Sequence, residues 1–255
     1  MRSPRGPFRP RLPGCPARVA LAGRYAGATT IALVDTNQRF RDLTVADFVS
    51  QLGSGDPVPG GGSAAAIAGS LGAALVAMVA SLSLGRPKYA EHEALLAEAK
   101  ATALGLADRF LALGDEDAAA YGAFGAAMKM PRETDEEKAA RAAAIRVAAR
   151  AASDVPFRTV EACLAFVALS EALAGRSNKN ASSDLEVSSL MAVAAAHAAA
   201  ANVYVNLPAI GDEEAAQELL ARTESLVDEV DRLADHTREV VRGGETREPF
   251  APPAA

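Results

Sequence analysis

Hydrophobic positions along the chain recur at steps of three and four, and no stretch of useful length alternates in steps of two. Helices are therefore predicted throughout the body. Thr44 followed by Asp47 has the form of a capping box and opens a short helix to about Leu52. Gly53 to Pro59 reads as a loop, and Gly62 to Leu84 as a helix without a charge. A long helix is expected over Ala90 to Met130, ended by Pro131. Glu133 to about Gly175 is helical again, with Pro156 as a kink or break. Ser177 to Ser183 is a polar connection, and Asp184 to about Asn206 another nearly uncharged helix. Asp212 caps a last helix to about Arg242, which Gly243 and Gly244 end. The fold class is all-α, a multi-helical up-and-down bundle.

Two stretches meet the length criterion for a membrane span. Gly60 to Gly85 has no charge in 26 residues. The 25 residues from Val187 to Gly211 contain no Asp, Glu, Lys or Arg and one histidine, His197. Both exceed the roughly 20 residues a span needs. Their content is mostly Ala, Gly and Ser, which makes insertion marginal. A helix apolar all round also fits the centre of a soluble bundle, which is the preferred reading; a small membrane bundle is the alternative. Gly62, Ala66, Ser70 and Ala74 recur every fourth position and let a neighbouring backbone approach closely.

Composition sharpens this picture. Half of the 255 residues are hydrophobic, yet only 5% are aromatic and none is Trp, which favours packed helices over sheets. The net charge of −6 argues against nucleic acid as a partner. Cys15 and Cys163 are too few and too far apart for a disulfide scaffold or a thiolate zinc site. The first 34 residues hold six arginines and no acid, and five of the 14 prolines fall in the first 16. Residues 1–38 therefore read as a disordered or non-native extension, 39–244 as the helical domain, and 245–255 as a flexible tail.

Three regions carry candidate chemistry. Pro59, Gly60, Gly61, Gly62 and Ser63 lead into a helix whose first N–H groups are unpaired and attract anions or polar rings. No Gly-Lys-Ser/Thr follows and no strand precedes, so neither nucleotide fingerprint applies. A plain helix start is the alternative. Asp117 falls on an apolar stripe made by Phe110, Gly114, Tyr121, Phe124 and Met128. A carboxylate there is costly unless paired or part of a site, and a raised pKa suits acid–base work. A buried Asp that caps or pairs with a neighbouring helix is the alternative. The third region is the run from Ser177 through Asn178 to Asp184, with Asn202 and Asn206 one turn apart further on. These groups suit hydrogen bonding to a heterocycle, or structural caps. His92 and His236 sit among charges and read as solvated; His197 reads as a core or groove residue. No ligand set at metal spacing appears, so no metal is expected.

Taken in order, these segments resemble the cyclodeaminase/cyclohydrolase family of folate enzymes. The resemblance covers about Leu43 to Val241. It rests on Pro59-Gly60-Gly61-Gly62-Ser63-Ala64-Ala65, Asp115-Glu116-Asp117-Ala118-Ala119-Ala120-Tyr121 and Met130-Pro131 with its acidic patch. Val155-Pro156, Ser183-Asp184-Leu185-Glu186-Val187 and Asn202-Val203-Tyr204-Val205-Asn206-Leu207 agree as well. The chain departs at Ser177, where relatives usually carry Gly. The resemblance implies a soluble, cytoplasmic, all-α homodimer, intertwined, of the stand-alone type, with a tetrahydrofolate derivative as substrate and no further cofactor. It implies Asp117 as the catalytic acid–base group, and Pro59 to Ser63, Tyr121, Asn178, Asp184, Asn202 and Asn206 as substrate contacts. The reaction is then hydrolysis of 5,10-methenyltetrahydrofolate or, alternatively, cyclisation of the formimino compound with loss of ammonia. A non-catalytic folate-binding protein is the remote alternative.

Overall fold

Caps and turns delimit the helices much as the sequence pattern requires. The structure is a computed structural model that describes residues 39–249. Its helices are α1 (Val45–Leu52), α2 (Gly61–Ser83), α3 (Glu93–Met128), α4 (Asp135–Leu173), α5 (Ser182–Ile210) and α6 (Glu213–Gly243), with no strand among the described residues. Thr44 Oγ1 accepts from the Asp47 N–H and starts α1. Thr134 and Glu137 form a reciprocal capping box at α4, and Asp212 caps α6 through the Ala215 N–H. Gly211 and Gly244 end α5 and α6 in the left-handed region, at φ of 69° and 66°. The expected extension, residues 1–38, lies outside the described residues, as do residues 250–255.

Cross-helix bonds fix an up-and-down order. Ser70 Oγ on α2 donates to the Ala107 carbonyl on α3, and Arg158 on α4 pairs with Glu116 on α3. Ser188 Oγ on α5 donates to the Gly72 carbonyl on α2 and contacts Ser170 Oγ on α4. Each of α2 to α5 thus runs antiparallel to its neighbours in the ring. α6 runs antiparallel to α5, marked by Glu186–Arg242 and His197–Asp231, and packs on α4 as well.

Glycines on α2 make the close packing possible. A Cβ at Gly69 would overlap the Phe110 ring, and one at Gly72 would lie 2.7 Å from Phe166. Those two rings meet edge to face, 5.6 Å apart, at the centre of the core. Both α2 and the stretch Lys179–Ile210 are long and apolar enough to cross a membrane by length and composition. Most of the apolar window of α2 is buried against the other helices.

Of the kink or break expected at Pro156, the break does not occur, since α4 runs on through it, and α5 likewise continues through Pro208 to Ile210. A proline lacks the N–H that would bond the carbonyl four residues back, here Ala152. Asn206 Nδ2 on α5 donates to that carbonyl at 2.9 Å and replaces the missing bond.

The segment after α6 is also held. Arg247 N–H donates to the Gly175 carbonyl, its guanidinium pairs with Glu171 at 2.8 Å, and Arg176 Nε donates to the Glu248 carbonyl at 2.6 Å. The flexible tail expected from 245 onward is therefore anchored through 248.

Candidate active site at the amino end of α2

α2 begins without a side-chain cap. Gly60 occupies the cap position, and the first helical bond runs from the Ala64 N–H to the Gly60 carbonyl. The N–H groups of Gly61, Gly62 and Ser63 therefore have no partner within the helix. Asp117, from the middle of α3, supplies one. Its carboxylate accepts from the Ser63 backbone N–H and, at 3.1 Å, from Ser63 Oγ. The same hydroxyl lies 3.4 Å from the Gly114 carbonyl. Gly62 is required for this approach, because a Cβ there would overlap the Asp117 carboxylate.

Asp117 is half-buried, and no cation pairs with it among the described residues. Burial pushes its carboxyl above the ordinary carboxylate range, opposed by the two hydrogen bonds from Ser63. Its neighbour Glu116 is shifted the other way, because Arg109 bonds it and Arg158 lies 2.9 Å from its other oxygen. One residue apart on α3, one acid is neutralised by arginines and the other is left to take up or give a proton.

α3 continues eleven residues past Asp117, and α5 eight past Asn202, whereas α2 starts at their level. Asn202 Nδ2 lies 3.7 Å from the Cβ position of Gly61, so Asn202 borders the same helix end. It donates to the Ala198 carbonyl and keeps a second N–H and its oxygen available. Tyr121 is exposed one turn beyond Asp117. Pro59 is buried behind the loop, after a cis Val58–Pro59 bond. Pro59 to Ser63, Asp117, Tyr121 and Asn202 are thus brought together.

Three expected contacts are placed differently. Both Asn206 amide hydrogens are consumed, by the Ala152 and Asn202 carbonyls, so this side chain braces α4 and α5. Asn178 and Asp184 lie at the other end of the bundle, about 30 Å along α2 from Gly62. There Asn178 N–H donates to Ser83 Oγ, Nδ2 to the Leu82 carbonyl, and Oδ1 accepts from the Asn180 N–H. It closes the carboxyl end of α2. Two histidines differ as well: His92 is buried, and His197 is exposed and paired with Asp231, whereas His236 is solvated as expected and pairs with Glu171. The missed group was Ser63 Oγ as the partner of Asp117; the Gly-to-Ser step at the helix start carried that signal. No cluster of metal-binding side chains occurs among the described residues.

The family model for formiminotransferase-cyclodeaminase matches residues 44–225. A methenyltetrahydrofolate cyclohydrolase of Methylorubrum extorquens is 41% identical over 199 residues, covering 78% of this chain and 96% of that one. A formimidoyltransferase-cyclodeaminase of Gallus gallus is 34% identical over 167 residues, and the match spans 31% of its length. The crystal structure of formiminotetrahydrofolate cyclodeaminase from Thermotoga maritima shares the fold, with a TM-score of 0.73 at 22% identity, over 80% of this chain and 98% of that one. By sequence and by fold, the chain belongs to the formiminotransferase-cyclodeaminase family.

Proposed function

We propose that the protein hydrolyses 5,10-methenyltetrahydrofolate to 10-formyltetrahydrofolate. The carrying observation is the Asp117 carboxylate, held by Ser63 at the amino end of α2 with no cation paired to it among the described residues. The substrate carries a positively charged amidinium carbon between N5 and N10. A carboxylate without a counter-charge complements that cation, and the cation in turn favours the ionised form of Asp117. Asp117 takes a proton from the attacking water as oxygen bonds to the carbon. It then returns the proton to N5 as the carbon–N5 bond breaks, leaving the formyl group on N10. The proton released overall is the one lost when the added hydroxyl becomes the carbonyl. Gly61 and Gly62 present backbone N–H groups to the bound ring, and Asn202 and Tyr121 complete the contacts. The high coverage of the cyclohydrolase relative supports this reaction over its alternative.

The second reading is the cyclodeaminase reaction, in which N10 attacks the formimino carbon and ammonia leaves. The shared fold with the Thermotoga maritima enzyme favours keeping it. The purified chain mixed with 5,10-methenyltetrahydrofolate separates the two. Rapid loss of near-ultraviolet absorbance that needs Asp117 is expected. No loss above blank, with ammonia released from 5-formiminotetrahydrofolate, establishes the cyclodeaminase instead. Silence in both assays leaves a folate-binding protein.

The enzyme is read as a cytoplasmic homodimer without cofactor, metal, membrane or nucleic-acid partner. Leu71, Met78 and Leu82 on α2, with Val187 and Leu190 on α5, form exposed apolar stripes suited to a second copy. Light scattering in detergent-free buffer is expected to give twice the chain mass; a monomer would sink this interface.

A further inference from the structure

Three consecutive carboxylates on α3 reach three different parts of the molecule. Asp115 accepts the Phe40 N–H at 2.8 Å, from the turn before α1. Asp117 accepts from Ser63 on α2. Glu116, between them, pairs with Arg158 on α4 at 2.9 Å. Successive residues of a helix point about 100° apart, so the three acids fan out around α3. Whatever fixes the direction of Glu116 therefore fixes that of Asp117.

Apolar packing sets that direction only loosely. No residue of α3 from 115 to 126 is buried, although Phe110, Leu113 and Gly114 just before them are. Ala120 adds one partly buried methyl group to the core. A Cβ at Gly122 or Gly125 would meet nothing within 4 Å. Such a stretch resists rolling about its own axis weakly. A roll of about 10° moves a carboxylate that lies some 5–6 Å from the axis by about 1 Å.

Glu116 is held from two sides. Arg109, two turns earlier on α3, donates to both of its oxygens, to Oε2 at 3.2 Å. Arg158 reaches Oε2 from α4, and its Nε stands 2.8 Å from Asp154 without the alignment of a hydrogen bond. Two guanidiniums against two carboxylates leave the cluster neutral. The side chains of Arg109, Glu116 and Arg158 are 36–39% exposed, and ion pairs so exposed add little to stability. Their two-pronged geometry fixes direction instead.

We infer that Glu116 is a positioning residue for Asp117: paired with Arg158 across to α4, it sets the roll of α3 that turns the Asp117 carboxylate onto Ser63. The inference rests on the acid–base role of Asp117 proposed above. Glu116→Ala and, from the other helix, Arg158→Met are each expected to lower kcat about tenfold, through a displacement of up to ~1 Å, with KM nearly unchanged. Glu116→Gln is expected to keep most of the turnover, because its carbonyl oxygen still accepts from the guanidiniums. In an Asp117→Asn background, Glu116→Ala is expected to lower turnover no further, since the group it aims is gone. The amide proton resonance of Ser63 reports the contact without turnover. In Glu116→Ala it is expected to move toward its position in Asp117→Asn. Glu229→Gln, which breaks an ion pair with Arg232 on α6, is the charge control and is expected to match wild type. Full turnover in both folded Glu116→Ala and Arg158→Met, an unmoved Ser63 resonance, or an equal further loss in the Asp117→Asn background overturns the positioning role while the proposed reaction stands. If wild type instead lacks both folate activities, the reaction falls, and the Ser63 resonance alone decides whether Glu116 aims Asp117.

Discussion

The two ends of α2 are finished in opposite ways. At the carboxyl end, Ser83 and Asn178 spend their polar groups on the backbone, and Asn178 uses its N–H, its amide nitrogen and its oxygen. At the amino end no side chain of the helix itself caps it, and the partner comes from α3 as a carboxylate with capacity to spare. Hydrogen-bonding groups that are fully used hold a structure together. Groups that are partly used, half-buried and shifted in pKa are available for chemistry. The same contrast separates Glu116 from Asp117 on a single helix.

The largest effect that would test this contrast is at Asp117. Asp117→Asn is expected to lower turnover by more than ~100-fold. The fold should survive, since the raised pKa means folding favours the protonated acid. That contribution is fully present below the ordinary carboxylate range and is lost as pH rises through the folded-state titration. Chemical denaturation should therefore find the Asn variant at least as stable as wild type at neutral pH. Near-normal turnover in a folded variant would remove Asp117 from the mechanism.

Gly62→Ala comes next. Its methyl group displaces the carboxylate, and a shift of about 1 Å is enough to cost up to ~100-fold in turnover. At the opposite end, Asn178→Ala is expected to cost about 1–3 kcal/mol of stability with turnover per folded molecule preserved. A selective loss of activity there would restore Asn178 as a substrate contact. Ser63→Ala removes one bond that lowers the Asp117 pKa, so the acidic limb of the pH–rate profile should move to higher pH, with turnover down about tenfold. An unmoved limb would separate the hydroxyl from the titrating group. The smallest effect is expected for Asn206→Ala, about 1 kcal/mol in denaturant unfolding, from the carbonyl it leaves unbonded.

Much of this was legible in the chain. Caps at Thr44 and Asp212 and the glycine stops follow from local rules, and the stripe through Phe110, Gly114 and Tyr121 placed Asp117 on an inward face. What was not legible depends on residues distant in sequence. Pro156 reads as a kink or break, and the helix runs on through it because Asn206, fifty residues on, supplies the donor it lacks. Asn178 reads as a ligand group until α2 arrives to be closed by it. His92 lies among charges in sequence, yet its side chain turns inward under the connections at the bundle end. The rise of α2 alone puts Asn178 and Asp117 at opposite ends, but only once the antiparallel order of the ring is known.

The bond from Asn206 to the Ala152 carbonyl has a historical consequence. That carbonyl needs an outside donor only because position 156 is proline. A descendant with an ordinary residue at 156 regains the internal bond and frees position 206 to drift, whereas the reverse order of change passes through a weakened intermediate. The two positions should therefore covary across lineages, with proline the first of the pair to be lost and the last to be acquired.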